Sequence, residues 1–314
     1  MFSKLIPYVA IARIDHWFKN VFVIPGIIVA IYADRSLLQM SLVLDAALTL
    51  LAVGLVASSY YVLNEILDAA QDALHPIKRS RPIPSGHVNV KVAYAEIFLL
   101  VTAGFAIAAA VNAMVLLTVA VLWIMACLYN IPPARTKDKP YLDVLSEAIN
   151  NPLRLVVGWY CTGIQVLPPA SLVVAYWMVG AFFMAVKRFA EFRRIDDAAR
   201  AAAYRRSFGH YNEERLLVSI TYYAVAFGLF FGIFLQRYRI ELILSIPFIA
   251  GFFAWYIHLG FLSDSPAQYP EKLFRQTGFT AYAILCVVVM VGLLFWDVPM
   301  IGRIFAPTIP TKSP

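Results

Sequence analysis

The chain has 314 residues, of which 61% are hydrophobic and 14% charged, and its mean hydropathy is +0.72. Soluble domains run near half apolar and about a quarter charged, so this composition excludes a soluble globular protein. It defines an all-α integral membrane protein, read as a single transmembrane helical domain over residues 1–302 with a flexible tail over 303–314. The net charge of +7 belongs to membrane topology, with no nucleic-acid partner implied.

The first nineteen residues carry Lys4, Arg13, Asp15, His16 and Lys19. That is too polar for a signal peptide, and it reads as an amphipathic lead-in to the first span. Apolar stretches long enough to cross the hydrocarbon core then recur along the chain. About nine are predicted by that criterion, near residues 20–33, 42–64, 92–111, 113–131, 142–163, 170–190, 216–235, 240–262 and 277–296. The third and fourth meet at Val111-Asn112 as a tight helical hairpin. The fifth and sixth meet at Leu167-Pro168-Pro169. Cys127, Cys161 and Cys286 lie in apolar stretches without paired spacing, as small buried hydrophobes do.

With the N-terminus inside, 20 of the 26 Lys and Arg fall in inside segments. This bias predicts a cytoplasmic N-terminus, an outside C-terminus and basic loops capping the cytoplasmic side.

The second span runs into Asn64-Glu-Ile-Leu-Asp68-Ala-Ala-Gln-Asp72. Its oxygen-bearing residues recur at i, i+4 and i+8, so a helix stacks them on one face. Carboxylates in such a row are hard oxygen ligands of the kind Mg²⁺ takes together with substrate phosphates. Asp68 and Asp72 are the predicted metal ligands, with Asn64 completing the shell or gripping a phosphate. Glu65 points off the row and reads as helix-end charge. Directly behind come His75, Lys78, Arg79, Arg81 and Ser85-Gly86, with Pro76, Pro82 and Pro84 breaking any regular helix. This loop can fold back and neutralise phosphate charge. Together the two segments predict a metal-diphosphate site at the cytoplasmic face.

Other polar groups flank spans. Arg13, Trp17, Lys19 and Asn20 serve either as an interfacial anchor or as phosphate ligands. Tyr129-Asn130, Arg135, Lys137, Asp138, Lys139 and Tyr141 lead into Asp143, Glu147, Asn150, Asn151 and Arg154, whose helical spacing places a polar stripe where the fifth span enters the bilayer, and polar residues there face a cavity or each other. Arg154 either grips a lipid phosphate or pairs with Glu147 or another neighbour. Lys187, Arg188, Glu191 and Arg194 end the sixth span, as solvated charge or as ligands. Asp45, Glu241 and Asp297 read as interface residues. Tyr60, Tyr61, Trp159, Tyr160, Tyr222 and Tyr223 could line a prenyl tunnel.

On the helix number, the Asn64/Asp68/Asp72 row and the His75-Pro-Ile-Lys78-Arg-Ser-Arg81-Pro82-Ile-Pro-Ser85-Gly86 stretch, the chain resembles the UbiA superfamily of membrane transferases. The resemblance implies a UbiA-like helical bundle in which the row binds Mg²⁺ and a diphosphate. Quinone-type members carry a second aspartate row after the sixth span. Here that place reads Lys187-Arg188-Phe-Ala-Glu191-Phe-Arg193-Arg194. This looks more like the branch that moves phosphoribose from phosphoribosyl diphosphate (PRPP) onto decaprenyl phosphate, although Ile14 and His16 stand where that branch has Pro and Gln.

The implied function is Mg²⁺-dependent transfer of 5-phosphoribose from PRPP to a polyprenyl phosphate in a bacterial inner membrane, with release of pyrophosphate. Asp68, Asp72 and Asn64 would be catalytic. Lys19, His75, Lys78, Arg81, Lys137, Arg154, Lys187, Arg188 and Glu191 would bind substrate. The alternatives are an aromatic prenyltransferase of quinone biosynthesis and, from another class, a membrane transporter with an anion site.

Overall fold

The computed structural model describes residues 5–73, 78–195, 204–269, 273 and 275–306. Among these the chain is helical and carries no strand. Eight helices are long and apolar enough to cross a membrane. The helices fall into two compact units, Met1–Pro168 with Ile195–Asn212, and Pro169–Arg194 with Glu213–Pro314.

The first unit opens with α1 (Ile6–Ile11), a 3₁₀ run over Ile14–Val23, and α2 (Ile24–Ala33). Helix α3 follows as Met40–Asp72, then α4 (Val90–Val111) and α5 (Ala113–Asn130). Asn112 alone separates α4 from α5. Its side chain caps α5 by accepting the Val115 amide at 2.9 Å and donates to the Tyr160 carbonyl at 2.9 Å. The hairpin predicted there is present.

Residues 142–163 differ from prediction. They form two short helices, α6 (Leu142–Ala148) and α7 (Asn150–Tyr160), joined at Ile149, so neither counts among the eight spans. Pro152 cannot donate a backbone hydrogen bond, and Asn150 Nδ2 takes the Glu147 carbonyl at 3.0 Å. Hydropathy alone does not register either interruption. The first span is also longer than predicted, running from Ile6 to Ala33 as one helical stretch.

The core of this unit is a cluster in which Ala52, Val53 and Val56 of α3 meet Val115, Val119 and Leu122 of α5 and Val157 of α7. Close helix approach without a water-driven force rests on small residues. A Cβ on Gly26 would overlap the Leu155 carbonyl, and one on Gly158 would overlap the Val23 carbonyl, so α2 and α7 cross backbone to backbone. Gly54 admits the Trp17 ring, whose atoms lie 2.8 Å from where its Cβ would sit, and Trp17 Nε1 donates to Ser58 Oγ at 3.0 Å.

The second unit contains α8 (Ala170–Arg193), α9 (Glu213–Tyr238), α10 (Ile246–Phe261), α11 (Thr277–Phe295) and α12 (Pro299–Ile304). Its interior is aromatic: Phe253 stacks on Phe182 at 4.2 Å and on Phe227 at 5.0 Å. Arg239, after α9, binds the Leu293 carbonyl at 3.0 Å and pairs with Glu241 at 3.3 Å and with Asp297. Glu241 and Asp297 are therefore partners of one arginine as well as span-end residues. Of the tail predicted over 303–314, Arg303 and Ile304 end α12, and 307–314 lie outside the described residues.

The α2–α7 crossing gives a direct test. Gly158→Val forces side chain into backbone and should destabilise the detergent-solubilised protein by about 1–3 kcal/mol, read as a lowered midpoint of thermal unfolding. An unchanged midpoint would contradict the crossing.

Candidate active site

Helix α3 continues unbroken beyond its apolar stretch to Asp72. Residues 64–73 are mostly strong helix formers and contain no Gly or Pro, so Asn64, Asp68 and Asp72 do share one face. Each meets a different set of partners within the first unit.

Asp68 receives Lys137 Nζ on both carboxylate oxygens, at 2.7 and 2.9 Å, and Arg135 Nη2 at 2.9 Å. Both cations come from the turn after α5. Arg135 adopts a left-handed backbone, φ 32°, a strain of about 1–3 kcal/mol for a residue with a side chain. Its guanidinium holds the turn together: Nε donates to Asp138 at 2.9 Å and Nη1 to the Asn130 carbonyl at 3.2 Å. Asn130 Oδ1 accepts from both Asn64 Nδ2, at 2.5 Å, and Lys137 Nζ, at 3.1 Å. Asn130 thus joins the first member of the row to the cation on the second.

Asp72 is buried and pairs with Arg81 at 2.6 Å and with Lys78 at 3.8 Å. The loop bearing those cations is fastened to α3 by Glu65. That carboxylate is buried, and it accepts the Ile83 amide at 3.0 Å. Glu65 is therefore an anchor, not the helix-end charge the sequence predicts. Gly86, at φ 76°, completes the turn in a region side chains rarely adopt. His75 lies outside the described residues.

Arg154 is buried and does not pair with Glu147. Among the described residues its guanidinium contacts neutral oxygens: Tyr60 Oη at 3.1 Å, the Asn150 carbonyl at 3.3 Å and Asn20 Oδ1 at 3.4 Å. Glu147 instead accepts the Tyr129 hydroxyl at 3.0 Å. The predicted polar stripe is thus divided between different neighbours. Lys19 lies 5.8 Å from the Tyr61 ring, whose neighbour Tyr60 holds Arg154. Lys187, Arg188 and Glu191 belong to the second unit, where Arg188 is buried and pairs with Glu191 at 3.1 Å. Arg194 reaches Tyr269 Oη at 3.1 Å there.

Asp68 and Asp72 thus face four side-chain cations, Lys137, Arg135, Arg81 and Lys78. The donor set suits a hard divalent ion, which takes one or two carboxylates and completes its shell with water and phosphate oxygens. Among the described residues no group of three or more His, Cys, Asp or Glu could form a closed protein cage. A divalent ion on the carboxylates would release cations to a bound anion. The sequence reading grouped Asn130 and Arg135 with Lys137 without assigning either a role; the structure puts Arg135 on Asp68 and makes Asn130 the bridge between Asn64 and Lys137.

Eight apolar helices among the described residues, one of which ends in this charge-paired row, define a multi-pass membrane protein. Residues 22–279 match the UbiA prenyltransferase family, and the chain belongs to it. Its class is accordingly that of membrane transferases. The decaprenyl-phosphate phosphoribosyltransferase of Mycolicibacterium smegmatis is 27% identical over 222 residues, 70% of this chain and 67% of that protein. The uncharacterized protein y4nM of Sinorhizobium fredii is 26% identical over 194 residues, 62% of this chain but only 35% of that protein's length. A UbiA homolog from Archaeoglobus fulgidus, solved bound to DMAPP and Mg²⁺, shares the fold with a TM-score of 0.66 at 20% identity, over 89% of this chain and 98% of that one.

Lys137 offers a probe of the pairing. Burial pulls its ammonium below the usual lysine value, and the charge of Asp68 opposes that pull. Asp68→Asn removes the opposing charge, so the Lys137 titration should move further down. NMR of ¹³C-labelled lysine side chains reads the shift; a value that stays put or rises would contradict the contact.

Proposed function

We propose that this protein is a polyprenyl-phosphate phosphoribosyltransferase, transferring 5-phosphoribose from PRPP to a polyprenyl phosphate with release of pyrophosphate. The observation that carries the reading is the charge balance: one carboxylate row on α3, matched by Lys137, Arg135, Arg81 and Lys78. The stretch after the sixth predicted span supplies Lys187, Arg188 and Glu191 in place of a second aspartate row. A single row with surplus cations suits a donor that brings a 5-phosphate beside its diphosphate, and an acceptor that is itself an anion. The naming of the mycobacterial relative supports the same choice.

In this reading Asp68 and Asp72, with Asn64 in support, hold Mg²⁺, which supplies Lewis-acid stabilisation of the leaving pyrophosphate. Lys78, Arg81, Lys137 and Arg135 turn from the carboxylates toward the phosphate oxygens and neutralise charge that develops as the anomeric bond breaks. His75, three residues before Lys78 in the sequence, is a further candidate for the phosphate oxygens. Among the described residues buried Arg154 contacts neutral oxygens, and a guanidinium so placed gains most from a phosphate oxygen. Arg154 and Lys19 therefore bind the donor 5-phosphate or the lipid phosphate. The acceptor phosphate is ionised near neutral pH and requires no strong general base. The charge bias of the loops supports a row on the cytoplasmic side of a bacterial inner membrane, where a soluble donor arrives.

Purified protein supplied with Mg²⁺, PRPP and polyprenyl phosphate should yield phosphoribosyl lipid by mass spectrometry. Asp68→Asn should lower kcat/KM by about 10²–10³-fold. Prenylation of a hydroxybenzoate or naphthoate, with no phosphoribosyl lipid formed, would instead assign the protein to quinone biosynthesis. Undiminished function in Asp68→Asn without Mg²⁺ would favour a transporter.

A further inference from the structure

Asp143 of α6 is fully buried and stands apart from the row on α3. Its Oδ1 accepts the Tyr211 hydroxyl at 2.7 Å, and its Oδ2 accepts the Ser207 hydroxyl at 3.1 Å and faces Arg205 Nε at 3.5 Å. Tyr211 Oη in turn accepts the Tyr141 amide at 2.6 Å. A buried carboxylate is tolerated when its oxygens are satisfied in this way. One side chain thereby fastens both ends of the segment Arg205–Tyr211.

From that anchorage the segment meets the site's charged groups in three places. The Tyr204 ring lies 5.1 Å from Lys78 Nζ, and Lys78 pairs with Asp72. Arg206 Nη1 approaches Asp138 at 3.6 Å, and Asp138 also holds Arg135, a partner of Asp68. Arg205 Nη2 donates to Tyr129 Oη at 2.9 Å, beside Asn130, which bridges Asn64 and Lys137. Arg205 Nη2 thus meets a hydroxyl, a contact that a phosphate oxygen can replace at a gain in charge.

We propose that Arg205 is a further diphosphate-binding cation of this site and that Asp143 is the positioning residue that holds it there. The proposal rests on the reading of the α3 row as a metal-diphosphate site. Asp143 acts through Arg205, so the two side chains form a single functional unit. Inorganic pyrophosphate with Mg²⁺ is the probe, titrated calorimetrically into the full-length detergent-solubilised protein. Asp143→Asn and Arg205→Met should each weaken binding about tenfold, and the double variant should bind no more weakly than the poorer single one, as coupled residues do. Arg205→Met keeps the Ser207 and Tyr211 hydrogen bonds to Asp143 but removes its facing cation, so the thermal unfolding midpoint of each variant is measured alongside, and a loss of affinity counts only in a variant that remains folded at the titration temperature. Arg205→Lys, which keeps the charge, should recover part of the affinity. Wild-type affinity in Asp143→Asn, or losses that multiply in the double variant, would overturn the proposal alone. Failure of the wild-type protein to bind Mg²⁺-pyrophosphate would overturn both the proposal and the reading on which it rests.

Discussion

Two carboxylates one turn apart on the end of a membrane helix repel each other and are poorly solvated there. They persist only with counter-charge close at hand. Here Lys137 and Arg135 serve Asp68, while Arg81 and Lys78 serve Asp72. Most of the local architecture exists to deliver those cations. Glu65 ties down the loop that carries Arg81. A strained Arg135 and the shared amide of Asn130 hold the turn that carries Lys137. Each cation is thus mounted on a fastened turn, and its position does not depend on a long, loosely solvated side chain finding its partner.

Such a row is poised for exchange. Side-chain cations and a hard divalent ion compete for the same carboxylate oxygens. Cations displaced by a metal remain within reach of whatever anion the metal brings. The site therefore passes between two neutralised arrangements without an unpaired charge in a poorly solvated place. Membership of the UbiA prenyltransferase family accounts for the helical scaffold, but a scaffold hosts several chemistries. In the proposed function the donor is distinguished by the local balance of positive and negative side chains, not by the fold.

The helical row was legible in the sequence because its spacing of four obeys the helix period without help from distant residues. The hairpin at Asn112 was legible because so few polar residues separate two apolar runs. What escaped was non-local. Arg135 and Lys137 meet Asp68 across 67 and 69 residues, and no periodicity encodes such a pairing. Glu65 looked idle because its partner is a backbone amide, to which every non-proline residue has equal claim. The interruption at Ile149 escaped because apolar content continues through it.

The most direct test of the exchange is a structure of the protein with Mg²⁺ and pyrophosphate bound. The account predicts the metal on the carboxylates of Asp68 and Asp72, with Lys137 and Arg81 hydrogen-bonded to phosphate oxygens. Pyrophosphate bound elsewhere, with both cations still on their carboxylates, would contradict it.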